Sequence, residues 1–223
     1  MVPGTTLRHE IMALSNNYRV YAVDIIGEAG NSEEYRPDLN SDAFALWMKE
    51  VLDVLNLEKT ALAGNSLGGW MALKFATAYP ERVSRLILVA SSGLALIRPQ
   101  FIAKAEQELQ AGKTVSVDPS TLGQDSIPKE VLYFMNLIFE NYNPIKDIPV
   151  LADEELQQLD MPVLFIGGEI DSIIDTKASA QRLSRLLPSA RIHMLPDCGH
   201  AVLNSIEYIL PFLMDTQMIT RLA

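Results

Sequence analysis

Cysteine, histidine and positive charge are all scarce in this sequence. A single cysteine, Cys198, leaves no partner for an intramolecular disulfide and no cysteine-rich zinc site. Only three histidines are present, so an imidazole base has to be His9, His193 or His200. Lys and Arg number 18 against 28 Asp and Glu, for a formal net charge of −10. A net charge of that sign argues against nucleic-acid phosphates as partners and gives no hint of binding to an anionic membrane. No apolar run reaches the roughly 18 residues of a spanning helix. Met1 is followed by neither a basic n-region nor an apolar h-region. The expectation from these absences is a soluble cytoplasmic protein with no nucleic-acid and no membrane partner; self-association is left open. Apolar residues are abundant, at 48% of 223, enough to fill the core of one large domain.

The apolar residues change period along the chain. Leu7, Ile11 and Leu14 share one helical face in 5–15, and YRVYAVDII at 18–26 has the β-branched, apolar character of a buried strand. A polar loop over 27–40 leads to Ser41, which can cap a helix carrying Ala43, Leu46, Trp47, Val51, Leu52 and Leu55. A strand at 59–64, a helix at 67–79 and a strand at 83–90 follow. Strands alternating with helices predict a parallel sheet covered on both faces. Between Ser91 and Met161 no buried strand is evident. Helical patterns at 99–111 and 128–141 flank the polar segment GKTVSVDPSTLGQDS. The alternation resumes with a strand at 163–167, a helix at 177–187, a strand at 191–195 and a closing helix from Ala201 to about Met218. The fold class expected is α/β: a mostly parallel sheet of about five strands flanked by helices. Residues 1–92 and 161–223 form the core, and 93–160 form a helical insert.

Three glycines crowd one serine in LAGNSLGGW, residues 62–70. Gly64-Asn65-Ser66-Leu67-Gly68 follows a strand and opens a helix. There a sharp turn lifts the serine hydroxyl clear of the sheet edge and brings the Leu67 N–H towards the same space. That N–H is a candidate oxyanion donor. The plainer alternative is a glycine-rich turn with a solvated serine. A serine hydroxyl needs a base to act as a nucleophile. His200, on the loop after a strand in LPDCGHAVL, is the best placed; His193 lies within a strand and His9 within the first helix. The base needs a carboxylate to orient it. Asp171, just past the strand end in VLFIGGEIDSIID, is preferred, with Glu169 and Asp175 as alternatives and Asp24 and Asp197 as weaker ones. The chain order is then Ser66, Asp171, His200.

That order, with YRVYAVDIIGEAGNS, GNSLGGW, PERV, PVLFIGGEID and LPDCGH, resembles the α/β-hydrolase fold enzymes, particularly small single-domain carboxylesterases with a helical cap. The resemblance implies Ser66 as nucleophile, His200 as base, Asp171 as acid and the Leu67 N–H in the oxyanion hole. It implies no metal and no cofactor, and makes the insert at 93–160 a cap over the site. Asn65, Trp70, Phe134, Met135 and Ile138 are the candidate substrate-binding residues. The 128–142 stretch is apolar almost all round, as an acyl-pocket lid or ordinary core would be. The family also carries strands ahead of the first helix seen here, one ending in a His-Gly loop that donates the second oxyanion N–H. They are absent from this sequence, so an N-terminally truncated form of the fold is expected, with N–H groups near Val2–Gly4 as the substitute donors.

The function implied is hydrolysis of small carboxylic esters through an acyl-enzyme, with a small-molecule ester as partner. One alternative is a carbon–carbon bond hydrolase of ring-cleavage products, against which stands Ala201, where that branch tends to carry tryptophan. Another is a non-catalytic ligand-binding member of the fold.

Overall fold

Short apolar runs build the centre of the molecule. The structure, a computed structural model, describes residues 8–111, 129–130, 133, 136–138 and 147–215. Strands β1 (Thr60–Asn65), β2 (Val83–Val89), β3 (Val163–Gly168) and β4 (Arg191–Leu195) pair in parallel in the order β1-β2-β3-β4. The α-helices are α1 (Arg8–Ser15) and α2 (Ala43–Val54) before the first strand, α3 (Leu67–Ala78), α4 (Pro99–Gln110), α5 (Asp153–Leu156) and α6 (Thr176–Leu186) between strands, and α7 (Ile206–Met214) after the last.

Successive strand residues face opposite sides of the sheet, and both sides are apolar. Leu86, Leu88, Val163 and Phe165 join one buried cluster with Leu73 and Phe75 of α3 and Leu183 of α6. Ile87, Val89, Leu164 and Ile166 join the other with Ile206, Ile209 and Phe212 of α7, against which Ala13 and Leu14 of α1 pack. All six residues of β3 are buried, as a central parallel strand requires.

The α/β class and its parallel, helix-covered sheet match the expectation. The sheet has four strands among the described residues, not five. The segment expected as a strand at 18–26 runs without regular structure and ladders with no strand in the sheet. Its Ile25 is buried and Ile26 packs on the α3 side of the core. Burial of single residues is thus met without β pairing. Its Asp24 organises the following turn, accepting the Asn31 N–H at 3.0 Å.

The closing helix begins at Ile206, not at Ala201. Asn204 takes a left-handed φ of 59°, which asparagine tolerates, and the chain from His200 to Ser205 remains a loop. Residues 216–218 of that expected helix lie outside the described residues. Of the second expected insert helix, residues 129, 130, 133 and 136–138 are helical. The two ends of the expected insert meet on α6. The Leu151 N–H donates to the Gly93 carbonyl at 2.9 Å. Arg182 donates to the Leu94 carbonyl at 2.9 Å, to the Leu151 carbonyl at 2.6 Å and to Asp153 at 2.7 Å. No described helix is long and apolar enough to cross a membrane.

Candidate active site

Parallel strands all end at one rim, and the loops leaving that rim carry the candidate side chains. Ser66 follows β1, Ser91 and Ser92 follow β2, Asp171 follows β3 and His200 follows β4.

The turn at Ser66 is tight because its glycines let backbone meet backbone. A methyl group on Gly64 would lie 2.1 Å from the Gly68 carbonyl oxygen, and one on Gly69 would lie 2.3 Å from the Ser91 hydroxyl. Ser66 takes φ 51° and ψ −115°, a conformation that costs a non-glycine residue roughly 1–3 kcal/mol and persists only where surroundings enforce it. The enforcement is visible. The Ser66 N–H donates to the Val89 carbonyl at 2.9 Å, and the Ser66 carbonyl accepts from Gly69 at 3.0 Å and from Ser92 at 3.1 Å. Leu67 is the first residue of α3, so its N–H has no intrahelical carbonyl to meet.

The structure brings Ser66, His200 and Asp171 into one line. His200 Nε2 lies 3.0 Å from the Ser66 hydroxyl, and His200 Nδ1 lies 2.9 Å from Asp171 Oδ2. Asp171 is 2% exposed and His200 9%. The other Asp171 oxygen, Oδ1, accepts the N–H groups of Ile173 at 2.8 Å and Ile174 at 2.9 Å. An ionised carboxylate only accepts hydrogen bonds. Paired with such a carboxylate, the imidazole would carry its proton on Nδ1 and turn the Nε2 lone pair to the serine hydroxyl. The two loops are also joined to each other, because the Ile170 N–H donates to the Cys198 carbonyl at 3.1 Å.

The remaining candidates fall elsewhere. Glu169 pairs with Lys177 at 3.1 Å, and Asp175 caps α6 by accepting the Ala178 N–H at 3.1 Å. Asp24 holds its own turn, and Asp197 is exposed. His193 packs its ring 4.7 Å from that of Tyr208 on the α7 face. The His9 side chain lies outside the described residues, as do Phe134, Met135 and the Val2–Gly4 segment. Ile138 is half-buried and Asn65 is half-buried at the end of β1.

Trp70 needs a correction. It is 1% exposed and lies edge-on to Phe44, with ring centroids 5.3 Å apart, so it packs the core instead of lining a substrate wall. At the third position after Leu67 it sits on the inward face of α3, and a large apolar ring there is worth more buried than exposed.

Cys198, two residues before the histidine, is buried. Desolvation, and secondarily the charge of Asp171, push its thiol pKa up from the usual range, away from the thiolate form a nucleophile needs. Two surface grooves, one lined by Ala180, Gln181, Ser184, Arg185 and Ile192 and the other by Asp42, Ala45, Lys74 and Glu155, touch none of the three aligned residues. No three His, Cys, Asp or Glu side chains group as metal ligands among the described residues.

Sequence patterns did not reveal what holds these loops at their spacing. Gly168 is one such residue. A methyl group there would lie 2.1 Å from the Cys198 carbonyl and 2.3 Å from the Gly199 carbonyl. Its glycine lets the histidine loop settle against the end of β3. The paired glycines at a strand end were the available signal.

Comparison with known proteins places this geometry in context. The sequence profile described as alpha/beta hydrolase fold matches residues 7–130. The chain is 29% identical over 210 residues to carboxylesterase YbfK of Bacillus subtilis, covering 89% of this chain and 71% of that one. The crystal structure of the same esterase superposes with a TM-score of 0.75 at 27% identity, over 96% of this chain and 80% of that one. A pimeloyl-[acyl-carrier protein] methyl ester esterase of Aliivibrio fischeri is 30% identical over 208 residues, or 84% and 78% of the two chains. A 2-hydroxy-6-oxononadienedioate/2-hydroxy-6-oxononatrienedioate hydrolase of Paraburkholderia phymatum is 28% identical over 203 residues, or 82% and 70%.

Proposed function

The chain belongs to the alpha/beta hydrolase fold family, and within it we propose a serine hydrolase that cleaves small carboxylic esters through an acyl-enzyme on Ser66. The observation that carries this reading is the alignment of the Ser66 hydroxyl, the His200 ring and the Asp171 carboxylate, at 3.0 and 2.9 Å. The similarity to YbfK and to the pimeloyl methyl ester esterase supports ester substrates.

Each step follows from where the protons sit. The Ser66 oxygen attacks the acyl carbon while its proton passes to His200 Nε2. The imidazolium that forms is held by Asp171, whose Oδ1 stays bound to the Ile173 and Ile174 N–H groups. The negative oxygen of the tetrahedral intermediate is stabilised by the Leu67 N–H, a contribution of about 3 kcal/mol for one such donor. When the intermediate collapses, Nε2 returns the proton to the departing alkoxide, and the alcohol leaves. A water molecule then attacks the acyl-enzyme, gives its proton to Nε2, and the acid and free Ser66 are released. In this reading residues 93–160 cap the site, with 1–92 and 161–223 as the core.

A second reading is carbon–carbon bond hydrolysis, favoured by the similarity to the dienedioate hydrolase. It is separable by substrate. The ester reading expects p-nitrophenyl acetate or butyrate to be turned over with a kcat/KM at least about 100-fold above that for a 2-hydroxy-6-oxo-dienoate, a margin of nearly 3 kcal/mol in transition-state binding. The reverse preference would transfer the same Ser66 chemistry to the second reading. No turnover of either substrate would leave a ligand-binding protein.

A further inference from the structure

The loop that carries Asp171 is held from outside by the beginning of the insert. Asp171 to Asp175 leaves the sheet rim and runs along the surface to α6, with Ser172 exposed and Ile173 half-buried. Residues 96–98 lie against it. Ile97 and Ile174 form an antiparallel bridge, and the Arg98 N–H donates to the Ile173 carbonyl at 2.7 Å. The Arg98 side chain then reaches further along the loop. Its Nε donates to the Asp171 carbonyl at 2.7 Å, and its terminal nitrogen lies 3.4 Å from the Asp175 carboxylate. One guanidinium thus ties the two ends of a five-residue loop to the residue that precedes α4.

This tie bears on the aligned residues because of how the Asp171 carboxylate is aimed. Its Oδ1 is fixed by the N–H groups of Ile173 and Ile174, in the same loop, and that anchorage leaves Oδ2 pointing at His200. If the loop backbone turns, the two N–H groups turn with it and the carboxylate follows. Arg98 holds the Asp171 carbonyl, and its own N–H holds the Ile173 carbonyl. It therefore fixes the peptide groups on both sides of the Ile173 anchor.

We propose that Arg98 is a positioning residue for the Asp171–His200 pair, acting through the backbone of the acid loop. It makes the segment leading into α4 a brace for the acid loop. The inference rests on the proposed ester chemistry for its kinetic consequence. Its structural consequence, the state of the His200 ring, can be read without any substrate.

The test compares Arg98→Met, which keeps the side-chain stem and removes the donors, with Arg98→Lys, which keeps one charge and one donor direction. Arg182→Met serves as the control, since Arg182 clamps the insert ends to α6 without touching the acid loop. Two quantities are measured in the purified proteins. The first is the His200 ring nitrogen shifts by NMR, assigned with His200→Gln, which report the share of the ring protonated at Nδ1 against Nε2. The second is kcat and KM on p-nitrophenyl butyrate.

Arg98→Met is expected to move a measurable share of His200 to the Nε2–H form and to lower kcat about tenfold, the worth of one charged hydrogen bond in the barrier, with KM within twofold. Arg98→Lys is expected to fall between it and the wild type. Arg182→Met is expected to lower the melting temperature while leaving the His200 spectrum and kcat at wild-type values. A wild-type spectrum and kcat in Arg98→Met would overturn the inference. So would the same spectral change in Arg182→Met, which would mean general loosening. Should Arg98→Met not fold, a wild-type His200 spectrum in Arg98→Lys overturns it instead. If the wild-type protein hydrolyses no ester, the ester reading fails, and the spectra still decide the role of Arg98.

Discussion

Ser66→Ala should abolish ester hydrolysis, lowering kcat by about 10⁶ while the fold and substrate binding persist. The size follows from the position of the hydroxyl. No other described side chain can replace it. Ser91 and Ser92 follow the neighbouring strand, but Ser91 is fully buried and donates its hydroxyl to the Ser92 carbonyl at 2.8 Å. Cys198 is buried, and burial pushes its thiol pKa up. The variant should fold normally, because alanine keeps the Cβ that the Ser66 backbone already accommodates and loses only the contact to His200. The check is hydrolysis of p-nitrophenyl butyrate beside a melting curve. Activity above about 1% of wild type in a folded Ser66→Ala protein would point to a different nucleophile.

Asp171→Asn should lower kcat by about 10⁴, although the new side chain has the same shape. The structure supplies the reason. Two N–H groups, of Ile173 and Ile174, converge on Oδ1 at 2.8 and 2.9 Å and require an acceptor there. An asparagine would satisfy them with its carbonyl oxygen and so turn its amide NH₂ towards His200. That donor forces Nδ1 to accept, which moves the imidazole proton to Nε2. A protonated Nε2 cannot take the proton of Ser66. The loss should therefore appear in kcat, with His200 in the opposite tautomer by NMR. A decrease of less than tenfold would mean that Asp171 does not set the tautomer.

Much of this arrangement is legible in the sequence. The period changes at 59–90 and 163–195 located all four strands, because a buried parallel strand must be apolar on both faces. Gly64, Ser66 and Gly68 between a strand and a helix marked the sharp turn, since only small residues let backbones pass so closely. The loops after β3 and β4 had to end at the same rim as Ser66 in a parallel sheet, which brought Asp171 and His200 forward among several acids and three histidines.

What was not legible depends on tertiary partners. The 18–26 segment has the residues of a buried strand, yet pairing needs a neighbour, and composition does not supply one. Trp70 stands near the serine in sequence, but helical geometry turns it inward, away from the rim. The start of α7 depended on the left-handed turn at Asn204. Arg98 and Gly168 act on loops 73 and 30 residues away in sequence, through a carbonyl at 2.7 Å and through the absence of a side chain. Neither contact leaves a local pattern to read.

The most direct test of the account is covalent labelling with a fluorophosphonate followed by peptide mass spectrometry. The probe forms a bond to a serine oxygen only where a base removes its proton and a donor receives the developing charge. The account predicts one adduct, on Ser66, formed rapidly by the wild type, orders of magnitude more slowly by His200→Gln and not at all by Ser66→Ala. A folded wild-type protein that remains unlabelled, or that carries its adduct on another residue, would contradict it.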